Sequence, residues 1–439
     1  MLKRYLAFIS ILFAATFSST FAQSRADFVS VNGTSFALKG RPYYFVGANY
    51  WYGGLLGLID DRKKGLERLR RELDFLKSNG VTNLRLMAGA EGTGPISGVI
   101  RVGPPLQPEQ GKFDERVLEG LDLALAEMKK RDMKAVVFLS NNWEWSGGFQ
   151  QYLTWNGRVP PEMRTRKLTW DEQRDTVAKF YTCEPCQQAY SKQVAFILDR
   201  TNKINKIRYI DDPTIMGWEL ANEPRPMRPA SNDAYRKWIS AAAAITRAKD
   251  RNHLITTGHE GWIGTEGMEL FEGVHSDTNV DYLTIHIWAK NWGWFKGDKL
   301  AEDFDNVMSK AVSYVRDHVP VSERLGKPLV IEEFGLPRDG LAFDPAGPTK
   351  FRDRYYEKIL SLIGDGPGGF GPVAGANFWA FGGTARPIKG QVFWKTGDDH
   401  MGDPPMEEQG LNTVFDGDRS TWDVIRAAAK AAKKFRKKP

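Results

Sequence analysis

The sequence predicts an α/β fold, a (β/α)8 TIM barrel whose long strand-to-helix loops form an open groove. Three observations carry that expectation. Short apolar runs rich in β-branched and aromatic residues alternate with longer amphipathic segments. Links from a helix to the next strand are short, as in "KSNGVTN" and "RNHL". The longest irregular stretches, about 89–112, 141–181 and 382–413, all follow a strand. A doubly wound open sheet would show the same alternation, but eight strand-then-helix units with one elaborated end suit the barrel, where active sites are built on the strand-following loops.

Read in order, the chain opens with Lys3 and Arg4, an apolar run over 5–17 and Thr20-Phe21-Ala22, the pattern of a secretory signal peptide over 1–22 with the mature chain starting near Gln23. Strands are expected at 43–48, 83–88, 135–140, 215–223, 254–259, 282–289, 328–334 and 376–381. Helices fall between them, for example "KKGLERLRRELDFLKSNG", "DERVLEGLDLALAEMKKRDM" and "LAEDFDNVMSKAVSYVRDHV", with apolar positions three and four apart and a Gly or basic stop. A last helix, "WDVIRAAAKAAKKFRK", ends the chain. With 439 residues, 41% of them hydrophobic, the chain is long enough for a sizeable core, and residues 23–439 are expected to form a single catalytic domain with a short basic tail.

Charge and cysteines narrow the function classes. The net charge of +7 is not spread over the chain: Lys3 and Arg4 lie in the leader and six Lys or Arg lie in the last ten residues. The body is close to neutral, which argues against a nucleic-acid-binding face. No segment after the leader approaches the ~18 uninterrupted apolar residues of a membrane span. The two cysteines, Cys183 and Cys186 in "TCEPC", are expected to form a local disulfide in an exported chain, extracellular or periplasmic; two free thiols are the alternative. The six histidines show no HExxH spacing, and "DDPT" and "GDDH" lack a calcium-loop pattern, so catalysis without metal or cofactor is expected, in a monomer.

"GWELANEPRP", residues 217–226, sets the candidate site. Glu219 and Glu223 share a parity along an apolar run, and Pro224 stops it; acids are rarely buried without a partner. In the barrel reading Glu223 ends the fourth strand, His286 lies near the end of the sixth, Glu333 ends the seventh and Trp379 sits in the eighth. Two carboxylates at one barrel mouth fit glycoside cleavage, one protonating the leaving oxygen and the other attacking the anomeric carbon.

"WELANEP", "IEEFG", "NLRL", "HIW" and "NFWAF", together with "GRPYYFVGANYWYG" and "NNWEWSGG", resemble glycoside hydrolase family 5, and the last two resemble its endo-β-1,4-mannanase branch. The resemblance implies retaining hydrolysis of internal β-1,4 linkages in mannans, glucomannans or galactomannans, with Glu223 as acid/base and Glu333 as nucleophile. It implies that Asn222 hydrogen-bonds the sugar beside the scissile bond, and that Trp379 is the stacking platform under the reacting sugar. Arg85 is placed to hold Glu333 ionised and, equally, to pair with Glu219. His286 is expected to position the acid/base or touch sugar. Glu332 is expected to point away from Glu333 and serve a structural salt bridge. The chain is expected to bend or bulge at Asn222-Glu223, since strict alternation would turn only one of them inward.

Two positions depart from the family pattern. Trp288 stands where a Tyr is common, so any hydrogen bond to the nucleophile has to come from an indole N–H. Met87 stands where many plant and fungal members have Trp, which implies a differently built −2 side. Trp143, Trp145, Trp262, Trp292 and Trp294 lie on strand-following loops as candidate subsite walls, with loop packing as their other reading, and Glu260 and Arg225 are candidate hydroxyl binders. A related β-glucanase, an exo-β-mannosidase and a non-catalytic polysaccharide binder are the competing functions.

Overall fold

The structure, a computed structural model, describes residues 24–58 and 61–435. The expected signal peptide and the final four residues of the basic tail lie outside the described residues. Eight parallel strands form the central sheet: β1 (Phe45–Asn49), β2 (Asn83–Met87), β3 (Lys134–Phe138), β4 (Ile215–Glu219), β5 (Leu254–Thr256), β6 (Leu283–Ile287), β7 (Leu329–Phe334) and β8 (Val373–Phe378). Their order is β5-β4-β3-β2-β1-β8-β7-β6, so β1 pairs with β8 and the sheet curls almost into a closed barrel. Every residue of these strands is buried, as expected for a parallel sheet covered on both faces.

Between β5 and β6 no strand ladder forms. Single backbone and side-chain hydrogen bonds close the gap instead. The Asp281 carboxylate accepts the Ile255 N–H (2.7 Å), the Asp281 N–H donates to Ile255 O (2.8 Å), and the Thr256 hydroxyl donates to Tyr282 O (3.0 Å). Nearer the mouth, the His286 N–H reaches Glu260 O (3.0 Å).

Local chemistry sets the helix limits. Asp61 and Asp114 cap helices Arg62–Ser78 and Glu115–Lys129, each side chain accepting a first-turn N–H. Helix Leu300–Leu325 runs through Pro320 to Gly326, whose φ of 62° suits glycine.

Several boundaries differ from the sequence expectation. Residues 41–43 belong to an antiparallel meander (Ser30–Asn32, Ser35–Leu38, Arg41–Tyr43), and β1 begins only at Phe45. The meander plugs the barrel foot: Phe36 is fully buried, edge-on to Tyr282 at 5.3 Å. The fourth strand ends at Glu219, not Glu223. The stretch 141–181 is not irregular throughout but holds helices Gly148–Trp155 and Trp170–Val177, the second started by a Thr169/Glu172 capping box. Cys183 and Cys186 form the expected disulfide.

The third long loop, 382–413, crosses the top of the barrel and is fastened at both flanks. The Trp51 indole N–H donates to Gly402 O (2.8 Å) and Arg68 to His400 O (2.7 Å). Arg352, fully buried, donates to Leu336 O, Thr413 O and Leu411 O at 2.8–3.0 Å. Arg352→Ala strands three buried carbonyls and is expected to cost about 3 kcal/mol or more, read as a fall in the thermal unfolding midpoint; an unchanged midpoint would contradict this anchoring role.

Candidate active site

After Glu219 the chain leaves β4 and is held between its neighbours. The Asn222 N–H donates to Ser140 O (2.9 Å), the Asn142 N–H to Asn222 O (2.9 Å), and the Glu223 N–H to Gly258 O (2.9 Å). Glu223 adopts a left-handed backbone (φ 51°), a conformation costing a non-glycine residue roughly 1–2 kcal/mol. This is the expected bend, and it turns Asn222 and Glu223 both toward the site.

Arg85, on β2 and fully buried, organises the floor. Its Nε and one Nη2 proton grip Glu219 (2.7 and 2.6 Å), the other Nη2 proton reaches Asn222 Oδ1 (2.7 Å), and Nη1 donates to Asn49 Oδ1 (3.0 Å) and Glu333 Oε1. All five guanidinium N–H groups are used, and both readings of Arg85, partner of Glu219 and support of Glu333, hold together.

Glu333 closes β7. The Trp288 indole N–H donates to its Oε2 (3.1 Å), the substitute for the missing phenol. His286 Nδ1 lies 2.6 Å from Glu223 Oε1 and 3.3 Å from Glu333 Oε2. One donor atom each from Glu223, His286 and Glu333 fall within 4.8 Å of one another. The positive Arg85 against Glu333 opposes a cation there and favours an ionised carboxylate instead.

Burial pushes the Glu223 carboxyl up, and the Trp143 indole N–H, bonded to its Oε2, pulls the other way. Burial raises Glu333 too, against the lowering effect of Arg85. Arg85 hydrogen-bonds Glu333 and not Glu223, whereas the Arg225 charge acts on Glu223. Burial lowers His286 to about 4, so its ring is neutral near neutral pH.

Glu332 departs from expectation. A bulge in β7 against β6 places Ile331 opposite Ile285 and Glu333 opposite His286, so strict alternation fails and Glu332 stays inside the barrel. Its oxygens accept no hydrogen bond; the neutral His286 Nε2 lies at 3.8 Å and the Arg85 Nε at 3.9 Å. Burial and the Glu219 charge raise its pKa, and the salt bridge expected of it is present as the long pair with Arg85.

Above this floor lies a cavity of about 490 Å³ lined by the acid pair, Asn222 and an aromatic wall. Trp379 meets Trp288 edge-on at 5.6 Å. Trp143, Trp145 and Trp292 also line it, whereas Trp262 lies at the surface against Tyr314, and Trp294 packs behind Trp292. Arg225 and Glu260 form a two-bond pair, with the guanidinium 5.2 Å over Trp143 and 5.7 Å over Trp170. Met87 is buried and does not line the cavity. Sequence reasoning missed Trp170, Asn291, Met406 and Glu407; they sit in the long strand-following connections, Trp170 at the start of a helix there, where no strand register places a side chain. A second hollow of about 620 Å³, between residues 92–105 and 394–400, is mainly apolar, and its Asp399 is spent on Arg68.

A barrel with two facing acids at its mouth, inside an aromatic cleft, defines the class of barrel glycosidases. Comparison with known proteins narrows the class. Residues 26–437 match the model of the GH family 5 beta-mannosidase-like family. Mannan endo-1,4-beta-mannosidase 4 of Solanum lycopersicum is 30% identical over 382 residues, 84% of this chain and 88% of that one. A glycoside hydrolase family 5 mannosidase from Rhizomucor miehei superposes with a TM-score of 0.82 at 30% identity, covering 94% of this chain and all of the other; a variant of it bound to mannosyl-fructose gives 0.83. The chain therefore belongs to glycoside hydrolase family 5, in its beta-mannosidase-like branch.

Trp143→Phe removes a donor that stabilises ionised Glu223, so the Glu223 pKa rises. The basic limb of the pH profile of kcat/KM is expected to move up by about 0.5–1 pH unit. A limb that stays in place or moves down would exclude this bond as a determinant of Glu223 titration.

Proposed function

We propose that the protein hydrolyses internal β-1,4-mannosidic linkages of mannans, glucomannans or galactomannans with retention of configuration, as an exported monomer. The observation that carries the mechanism is the close approach of the Glu223 and Glu333 oxygens, within 4.8 Å. Retaining pairs stand about 5–5.5 Å apart, and inverting pairs, which must admit a water, about 6.5–9.5 Å. The curated mannanase relatives support the substrate. The disulfide and the leader-like first 22 residues support export, and among the described residues no helix is long and apolar enough to cross a membrane.

The sugar to be cleaved packs a C–H face on Trp379. A Glu333 oxygen attacks its anomeric carbon as the bond to the leaving oxygen breaks, and Glu223 gives that oxygen its proton. Glu223, now ionised, takes a proton from water; the resulting nucleophile attacks the anomeric carbon and frees Glu333, with both carboxyls restored. Asn222 gives one side-chain N–H to Asn141 Oδ1 (3.0 Å), leaving the other for a sugar hydroxyl, where a bond that strengthens in the transition state accelerates most.

A second reading, release of sugar from chain ends, is favoured by one feature: Met406 and Glu407 of the 382–413 loop line the cavity. Viscosity and reducing ends followed together on galactomannan, with a soluble β-glucan alongside, separate the two. Internal cleavage gives a steep viscosity fall with few new ends; ends without a viscosity fall would establish the second reading, and preference for the glucan would overturn the substrate. Glu333→Ala is expected to lose about a thousandfold or more in kcat, and proton NMR of the first product is expected to show the β-anomer.

A further inference from the structure

The last helix, Arg419–Phe435, runs down the outside of the barrel from mouth to foot. It starts beside the loops after β7 and β8, where both oxygens of Asp418 accept from Arg338 Nη2 at 2.7 Å. It ends with Phe435 against Tyr44, ring centres 5.5 Å apart, and close to the backbone at Gly364 and Gly366. Tyr44 lies just before β1 and Gly366 shortly before β8, so this end sits at the start of the strands, opposite the acid pair. The 17 residues of the helix, rising 1.5 Å each, put about 25 Å between its two ends.

One face of this helix joins the core through Trp422, Ile425, Ala429 and Ala432. On its exposed side, at the foot end, stand Lys430, Lys433 and Lys434, and none of them makes an ion pair or a hydrogen bond among the described residues. Arg426, one turn nearer the mouth, is by contrast used on Asn79 Oδ1 (2.7 Å) and on Asp423. Arg436, Lys437 and Lys438 follow directly in the sequence. The acids in the neighbourhood are Glu357, on helix Lys350–Leu360, and Asp365, whose charge acts on Tyr44; Lys358 lies on the same side, near Gly368. Positive charge is therefore in excess at the foot and has no partner in the protein. The substrate proposed above is an uncharged polymer, so this charge does not serve to hold it.

Beside the lysines lies an apolar hollow of about 260 Å³, between the last helix and helix Lys350–Leu360, with Leu360, Ile363, Pro367, Val424 and Phe435 in its walls and Glu357 and Ser361 as its polar residues. Ala427 and Ala431, also in its wall, stand three residues before Lys430 and Lys434, so the hollow and the basic stripe are neighbours on one helix surface. A dissolved polyanion would meet the lysines but offers nothing to the hollow. A bilayer offers both, phosphates at its surface and acyl chains beneath, and stable attachment to it takes an apolar element together with a basic one.

We propose that the foot of the barrel docks on anionic phospholipid bilayers, with Lys430, Lys433 and Lys434 on headgroup phosphates and the hollow beside them turned to the acyl boundary. The attachment is peripheral, since among the described residues no helix is long and apolar enough to cross a membrane. Docked this way, the protein points its mouth away from the lipid, toward incoming polymer. The test floats the mature chain, residues 23–439, with phosphatidylcholine vesicles that contain or lack phosphatidylglycerol. It compares wild type with Lys430→Glu/Lys433→Glu/Lys434→Glu and with Ala427→Gln/Ala431→Gln, which keeps every charge. Binding to the anionic vesicles is expected to exceed that to neutral ones about tenfold or more, and to fade as salt rises from about 0.05 to about 0.5 M. The lysine variant is expected to lose about tenfold or more of this binding and the alanine variant several-fold, both with the wild-type unfolding temperature. Equal binding to neutral and anionic vesicles, no binding to either, or undiminished binding by the lysine variant would overturn the proposal. Undiminished binding by the alanine variant would overturn the part assigned to the hollow, and tighter binding to soluble polygalacturonate than to vesicles would replace the bilayer by a dissolved polyanion.

Discussion

The site depends on one buried cation. Arg85 has no water to solvate it, so its five donors must be met by protein, and the groups that meet them come from three strands or their ends: Asn49 of β1, Glu219 of β4, Asn222 just beyond β4, and Glu333 of β7. A buried guanidinium is tolerated only when so completely paired. The same completeness fixes the acid pair. Glu219 takes two of the guanidinium N–H groups and Glu333 one, which favours the ionised form of Glu333.

The same arrangement sets the electrostatics of the site. Four acids, Glu219, Glu223, Glu332 and Glu333, crowd around Arg85 and the neutral His286, and the Arg225 charge also acts on Glu223. Burial raises the pKa of all four, and of the four only Glu219 and Glu333 hydrogen-bond Arg85. One cation thus gives two chemically identical side chains different surroundings, the difference on which the proposed acid and nucleophile roles rest.

Much of this was legible in the sequence. The eight strands announced themselves because parallel strands buried on both faces are continuous apolar runs, and the acids stood out because they interrupt such runs. Arg85, His286 and Trp288 were readable for the same reason: each sits on, or within a residue of, a strand, where neighbours fix a register. What failed were departures from regular geometry. The β7 bulge kept Glu332 inside when alternation sent it away, and the turn after Glu219 ended a strand that its apolar residues would have continued. Glu407 and Trp170 had no register at all. Glu407 is placed by Asp403, Gln409 and Arg352, contacts that exist only once the loop has folded across the barrel.

The gap between β5 and β6 has a mechanical consequence. Around the barrel, the short path from Glu223 to Glu333 runs from β4 through β5 and β6 to β7 and crosses that gap, whereas the unbroken ladder joins them only the long way, through β3, β2, β1 and β8. The spacing of the two carboxylates is therefore gauged by side chains spanning the mouth, Arg85 and His286, more than by sheet hydrogen bonds. The barrel is a split ring, and Glu223 and Glu333 stand on opposite sides of its opening with His286 between them, within reach of both.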